Sequence, residues 1–155
     1  MRWVKLKLIK ESRPSWATRL ISKEAVYEML TAYYKFHDRE EALVICLDNK
    51  NVPTYIHSLA VGSLNLCIVH PREVFKVALL TNASQIIFIH NHPSDDPTPS
   101  KEDQQITQRL VKGGDLIGIP LLDSLIIGGD KVISIVGRQR IRTDMECSPK
   151  QCENP

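Results

Sequence analysis

The chain reads as an α/β protein, a mixed β-sheet sandwiched by helices. Three observations carry that expectation. Short apolar runs rich in β-branched residues, such as Ala42–Leu47 and Ile86–His90, are bounded by turn residues. Amphipathic stretches with helical spacing stand between some of these runs but not between all, so strands and helices do not strictly alternate. A length of 155 residues suits one full-sized core, and no internal repeat or linker divides the chain.

Taken in order, Val4, Leu6 and Leu8 alternate with lysines, which predicts a half-exposed edge strand in an N-terminal extension, residues 1–21. Ser22 is placed to cap a helix whose Val26, Met29, Leu30, Tyr33 and Phe36 recur at helical spacing. Ala42–Leu47 is a buried strand, and Asp48-Asn49-Lys50-Asn51 turns it into a second strand over Thr54–Val61, making a hairpin. Leu66–Val69 is a short strand, and Pro71 opens a helix carrying Val74, Phe75, Ala78 and Leu79. Ile86–His90 is a central strand. Ser100 begins a helix that runs to about Lys112, where Gly113-Gly114 is expected to end it. Further strands are expected over Ile117–Leu122, Ser124–Ile127 and, after the turn Gly128-Gly129-Asp130, Val132–Val136. The domain proper is thus 22–137, and residues 138–155 form a polar, disordered tail.

Twenty basic and eighteen acidic residues leave a net charge of +2, too small a surplus to point to nucleic acid. The basic residues crowd the first 23 positions, which reads as a solvated edge. No run approaches the roughly 18 apolar residues of a membrane span, and Met1-Arg2-Trp3 does not begin a signal peptide, so a cytoplasmic location is expected. Cys46 and Cys67 fall in apolar strands, whereas Cys147 and Cys152 match no zinc-ligand spacing; all four are expected as free thiols. Trp3 and Trp16 are candidates to anchor the N-terminal segment or a homodimer contact at the exposed edge strand, and His37, His57 and His70-Pro71 carry no more than a structural expectation.

Chemistry concentrates at His90-Asn91-His92-Pro93. Residues i and i+2 of a strand share a face about 7 Å apart, so both imidazoles can lean toward one ion. Pro93 has no N–H to give the sheet and stops the strand. A proline-stiffened loop, Pro97-Thr98-Pro99, then returns to Ser100, and Asp103 lies in the first turn of the next helix. As the third residue after Ser100, Asp103 suits a capping box, which is compatible with ligation. Two histidines and a carboxylate make an open site, with a position left for water, as in catalytic zinc centres. A general base must come from elsewhere. Glu102 adjoins a ligand but is expected to point away, and Glu40 and Glu41 stand at the start of the Ala42–Leu47 strand. Adjacent glutamates on a strand cannot both face the metal, and periodicity does not say which does.

The spacing His90-x-His92-Pro93, six residues, Ser100, two residues, Asp103 resembles the JAMM (MPN+) metalloprotease motif. Its flanks resemble the RadC-like branch: Glu40 eight residues before Asp48, Gly62, His70-Pro71-Arg72-Glu73, His92-Pro93-Ser94, Glu102-Asp103 and Leu121-Leu122-Asp123. This resemblance covers about residues 20–137. It implies a cytidine-deaminase-like architecture, one Zn²⁺ per chain on His90, His92 and Asp103, Glu40 as the base that holds the catalytic water, and Ser100 as hydrogen-bond donor to the oxyanion. The pattern is broken at Asp95, where such chains usually have glycine, which is expected to bring a negative charge beside the cation. It is broken again at Ser124, which replaces a histidine expected near the cleft. The N-terminal helix-hairpin-helix region of longer relatives is not seen in these residues.

The function expected from this reading is a zinc metallohydrolase acting on peptide or isopeptide bonds in a protein or peptide substrate. Two alternatives stand beside it. One is a DNA-repair-associated nuclease or accessory factor, against which the single set of ligands and the weak charge count. The other is a non-catalytic metal-binding interaction module, against which the complete ligand set and open position count.

Overall fold

A computed structural model describes residues 20, 22–34, 38–62 and 69–137. The expected strand at Val4–Leu8, most of that at Leu66–Val69, both tryptophans, His37, Cys67 and the tail 138–155 lie outside the described residues. Val69, at the described end of the second of these, is not in a strand.

Among the described residues, three helices and five strands follow in the order α1 (Lys23–Tyr34), β1 (Glu41–Leu47), β2 (Pro53–Val61), α2 (Pro71–Leu80), β3 (Gln85–Asn91), α3 (Lys101–Ile117), β4 (Leu121–Gly128) and β5 (Lys131–Ser134). The strands form one sheet in the order β2-β1-β3-β4-β5. Only β3 and β4 run parallel, and α3 makes the crossover that a parallel pair requires. The other three pairs are antiparallel, so the sheet is mixed, as expected from the broken alternation.

Two apolar layers flank the sheet. Leu43, Ile45, Ile87, Ile89 and Leu125 face α1, whose Val26, Leu30 and Tyr34 are buried one turn apart. Ser22 caps that helix, its Oγ accepting from Ala25 N at 3.2 Å. On the other face Val44, Cys46, Ile86 and Phe88 pack with Val74 and Phe75 of α2 and Leu110 of α3. Register decides what shares a face: Ala42 stands opposite His90, and Val44 opposite Phe88. His90 therefore points into the α2–α3 layer, at its open end. Cys46 in that layer is a free, buried thiol.

Two expectations about α3 are corrected. The helix does not end at Gly113-Gly114 but continues to Ile117, and Gly118, with φ of 79°, supplies the left-handed C-cap. Gly114 is in the helix because the returning chain crosses it: a Cβ there would lie 2.7 Å from the Ile119 carbonyl oxygen. Two mid-helix glycines cost about 1 kcal/mol each, a penalty outweighed by buried contacts on both sides. Ile117 accordingly belongs to the helix rather than to a strand, and Leu121–Gly128 is one continuous strand. One turn beyond Asp103, Thr107 Oγ1 meets Ser124 Oγ at 2.8 Å with both residues fully buried, which ties α3 to β4. Ser124 thus lies inside the layer, not in a cleft, because its place opposite Phe88 puts it beneath the helix.

Candidate metal centre

His90, on β3, is 2% exposed, and neither ring nitrogen has a hydrogen-bond partner among the described residues. Its Nε2 comes within 3.0 Å of Asp103 Oδ1, but the approach is not directed as a hydrogen bond. A buried polar group without a partner costs about 1–3 kcal/mol, and an ion held by such a nitrogen would remove that cost.

His92 follows the end of β3, and its backbone N donates to Ile127 O at 2.7 Å, carrying the pairing with β4 past the strand. Its ring Nδ1 lies 2.7 Å from the Asp96 carbonyl, which therefore accepts a hydrogen bond from Nδ1–H and leaves the Nε2 lone pair free. Nε2 is 3.6 Å from Asp103 Oδ2. The ring centroids of the two histidines are 5.0 Å apart.

The loop that separates the histidines from α3 is built from local bonds. Asp95 takes φ of 62°, which explains why glycine suits this position, and its N–H closes a turn onto His92 O. The Asp96 carboxylate accepts from Thr98 N at 3.0 Å and Thr98 Oγ1 at 2.6 Å. Pro97 is packed on Gly128 so closely that a Cβ there would be 2.7 Å from the proline nitrogen. The Asp95 carboxylate lies beside Gly129, where a Cβ would meet its Oδ1 at 3.3 Å.

Ser100 and Asp103 form a complete capping box. Asp103 N donates to Ser100 Oγ at 3.1 Å, and Asp103 Oδ2 accepts from Ser100 N and Ser100 Oγ, each at 2.7 Å. The carboxylate thus divides its work, Oδ2 closing the helix start and Oδ1 facing His90. In this arrangement the Ser100 hydroxyl proton is directed at Asp103. Burial disfavours the Asp103 charge, but the imidazoles of His90 and His92 and the Ser100 bonds outweigh it and hold the carboxyl well below its usual range. His92 is pushed above its ordinary value by Asp103 first, against burial, with help from the Asp96 carbonyl and the Glu40 charge.

One donor atom from each of His90, His92 and Asp103 lies within 4.8 Å of the others. Two imidazole nitrogens and one carboxylate oxygen suit Zn²⁺ and other borderline divalent ions, and the unpartnered His90 nitrogens fit the same role.

A cleft of about 220 Å³ opens beside this group. Its floor is apolar, from Ala42, Val69, Phe88 and Ile106, and Glu40 is on its wall with His90 and Asp103. Glu41 goes elsewhere: it is 4% exposed, and its carboxylate accepts from Tyr33 Oη at 3.0 Å and from Ser58 Oγ. That proximity to a phenol, after burial, raises the Tyr33 pKa. Glu102, expected to point away, instead lines the cleft with Gln105 and Arg109. Glu102 was set aside and Gln105 and Arg109 were missed, although the spacing 102, 105, 109 places them on one stripe of a helix and was a readable signal. His70 is the N-cap position of α2, and Glu73 pairs with Lys76 and Arg72, away from the cleft.

Comparison with known proteins gives a consistent picture. The family model described as RadC-like JAB domain matches residues 20–141. A UPF0758 protein of Methanosarcina barkeri is 43% identical over 117 residues, 76% of this chain and 51% of the relative. Another, of Caldanaerobacter subterraneus subsp. tengcongensis, is 47% identical over 114 residues, 74% of this chain and 49% of the relative. A third, of Clostridium botulinum, is 52% identical over 101 residues, 65% of this chain and 44% of the relative. The chain spans about half the length of the curated relatives it matches.

Proposed function

The chain belongs to the RadC-like JAB domain family, and on that premise we propose that it is a metal-dependent hydrolase cleaving peptide or isopeptide bonds. The observation that carries this reading is the convergence of His90, His92 and Asp103 beside a cleft that Glu40 lines together with His90 and Asp103. His90 and His92 would each give Nε2, and Asp103 a carboxylate oxygen, to one divalent ion, taken here as Zn²⁺. When bound, such an ion supplies Lewis acidity, polarising a scissile carbonyl and bringing a water pKa down to near 7.

The rest is the work of the chain. Glu40 takes the proton of the attacking water and delivers it to the leaving amine. Ser100 donates a hydrogen bond from its hydroxyl to the carbonyl oxygen as negative charge builds there, turning from Asp103 Oδ2 to do so. Asp96 holds His92 in the tautomer that leaves Nε2 open. The apolar floor excludes water and seats a substrate side chain, while Arg109 and Glu102 give its rim both signs of charge. The substrate is a protein or peptide and the compartment the cytoplasm; among the described residues no helix is long and apolar enough to cross a membrane.

The test is cleavage of quenched fluorescent casein, and of a peptide with a lysine ε-amide reporter, by Zn²⁺-loaded and chelator-treated protein. Glu40→Gln is expected to lower turnover about 10²–10⁴-fold, the usual worth of a general base. Full activity in Glu40→Gln removes the assigned base, and activity after complete metal removal removes the mechanism.

A further inference from the structure

Asn91 stands between the two histidines but faces the other way along the strand, and it is 5% exposed. Its carboxamide bonds at both ends to the segment that carries Glu40. Asn91 Oδ1 accepts from Glu41 N at 2.8 Å, and Asn91 Nδ2 donates to Arg39 O at 2.9 Å. A backbone N–H and a backbone C=O as partners fix which way the amide points. The backbone pairing of β1 with β3 ends at Ala42 and His90, so the carboxamide takes over where that ladder stops. From the other side, Gly62 N donates to Glu40 O at 2.7 Å. Both polar groups of the Glu40–Glu41 peptide, and the carbonyl of the peptide before it, are thus held from neighbouring strands. Continuing the same register puts position 40 opposite position 92.

We propose that Asn91 is a positioning residue: its carboxamide stands in for a strand peptide and locks the Glu40 backbone in the rung facing His92. One short sequence then sets both halves of the site, the histidines through their rings and the base through the residue between them. The inference rests on Glu40 being the base of the proposed reaction. It predicts that loss of the amide frees Glu40 without disturbing the ligands, since Asn91 bonds to neither histidine nor Asp103.

The experiment compares wild type with Asn91→Ala and Asn91→Asp by amide hydrogen exchange of the full chain, Zn²⁺ competition against a chromophoric chelator, and binding of acetohydroxamate to the Zn²⁺-loaded protein. In Asn91→Ala the Glu41 amide is expected to exchange about tenfold faster or more, the worth of one buried hydrogen bond. In Asn91→Asp, which keeps the acceptor, that amide stays protected. Zn²⁺ affinity is expected to fall by less than the roughly tenfold that follows loss of a group bonded to a ligand. Acetohydroxamate, whose acidic proton a correctly placed Glu40 receives, is expected to bind more weakly to Asn91→Ala and to Glu40→Gln alike, with no further loss in the double variant. An unchanged Glu41 amide in Asn91→Ala, or additive losses in the double variant, overturns the proposal. Undiminished acetohydroxamate binding in Glu40→Gln instead overturns the role given to Glu40, and the exchange result still decides whether the clamp exists.

Discussion

Replacing His90 by leucine separates the cost of the site from its use. Both ring nitrogens of His90 are buried without a hydrogen-bond partner among the described residues, and the ring sits against Phe88 with centroids 5.8 Å apart. An unsatisfied buried polar group costs about 1–3 kcal/mol, and leucine fills the space with no polar atom. Against this, Asp103 loses the imidazole at 3.0 Å that helps to hold its charge, but keeps His92 at 3.6 Å and its two Ser100 bonds. The metal-free His90→Leu protein is therefore expected to be more stable than metal-free wild type by about 1–2 kcal/mol. For a chain of this length that is roughly 2–8 °C in Tm. Zinc should reverse the order. At a free concentration of about 1,000 Kd, binding stabilises wild type by about 4 kcal/mol, or roughly 8–16 °C, and leaves His90→Leu unmoved. Differential scanning calorimetry with chelator and with buffered Zn²⁺ reads both effects. A metal-free His90→Leu protein less stable than wild type would show that the nitrogens are satisfied in the fold. An equal zinc-induced rise in both proteins would place the ion elsewhere.

Other perturbations follow from the same geometry. Ser100→Ala removes both the α3 cap and the proton that holds Asp103 Oδ2, so stability should fall by about 1 kcal/mol and Zn²⁺ affinity by roughly 10–100-fold, measured by denaturant melts and chelator competition. Gly114→Ala gains about 1 kcal/mol of helix propensity but meets the Ile119 carbonyl and the Leu121 nitrogen, backbone atoms that cannot yield, so a net loss of about 1–2 kcal/mol is expected in urea unfolding. Stability at or above wild type would show that the chain after α3 is free to shift. Burial raises the Asp123 pKa against the bonds from Ser134 Oγ, Ser124 N and the Val136 backbone. A raised carboxyl favours the fold fully below its unfolded pKa near 4, and that contribution is lost as pH rises through the folded value. Asp123→Asn, which retains an acceptor at Oδ1, should therefore stabilise the protein at pH 7 and lose that advantage in acid. A pH-independent difference between the two proteins would contradict this sign.

What could be read from the sequence alone was the chemistry that short stretches complete by themselves. Pro93 ends a strand because it lacks an N–H, histidines two apart share a face, and serine followed by aspartate three residues later closes a helix start whatever surrounds it. These local rules brought out His90, His92, Ser100 and Asp103 together with the mixed α/β class. Positions whose meaning depends on another strand were not readable in that way. Glu40 and Glu41 are alike in sequence, and their separation came only through resemblance. In the structure it follows from register, because Ala42 opposite His90 sends position 40 to the cleft and Glu41 to Tyr33 and Ser58. Gly113-Gly114 carries a stop signal that the tertiary contacts of α3 override, since about 1 kcal/mol per glycine is small beside a buried helix face. Asn91 carries no sequence signal of its own, and its clamp needs the ends of β1 and β3 in place before it exists. The sequence by itself determined which side chains could hold an ion; the pairing of distant strands decided which carboxylate lines the cleft beside them.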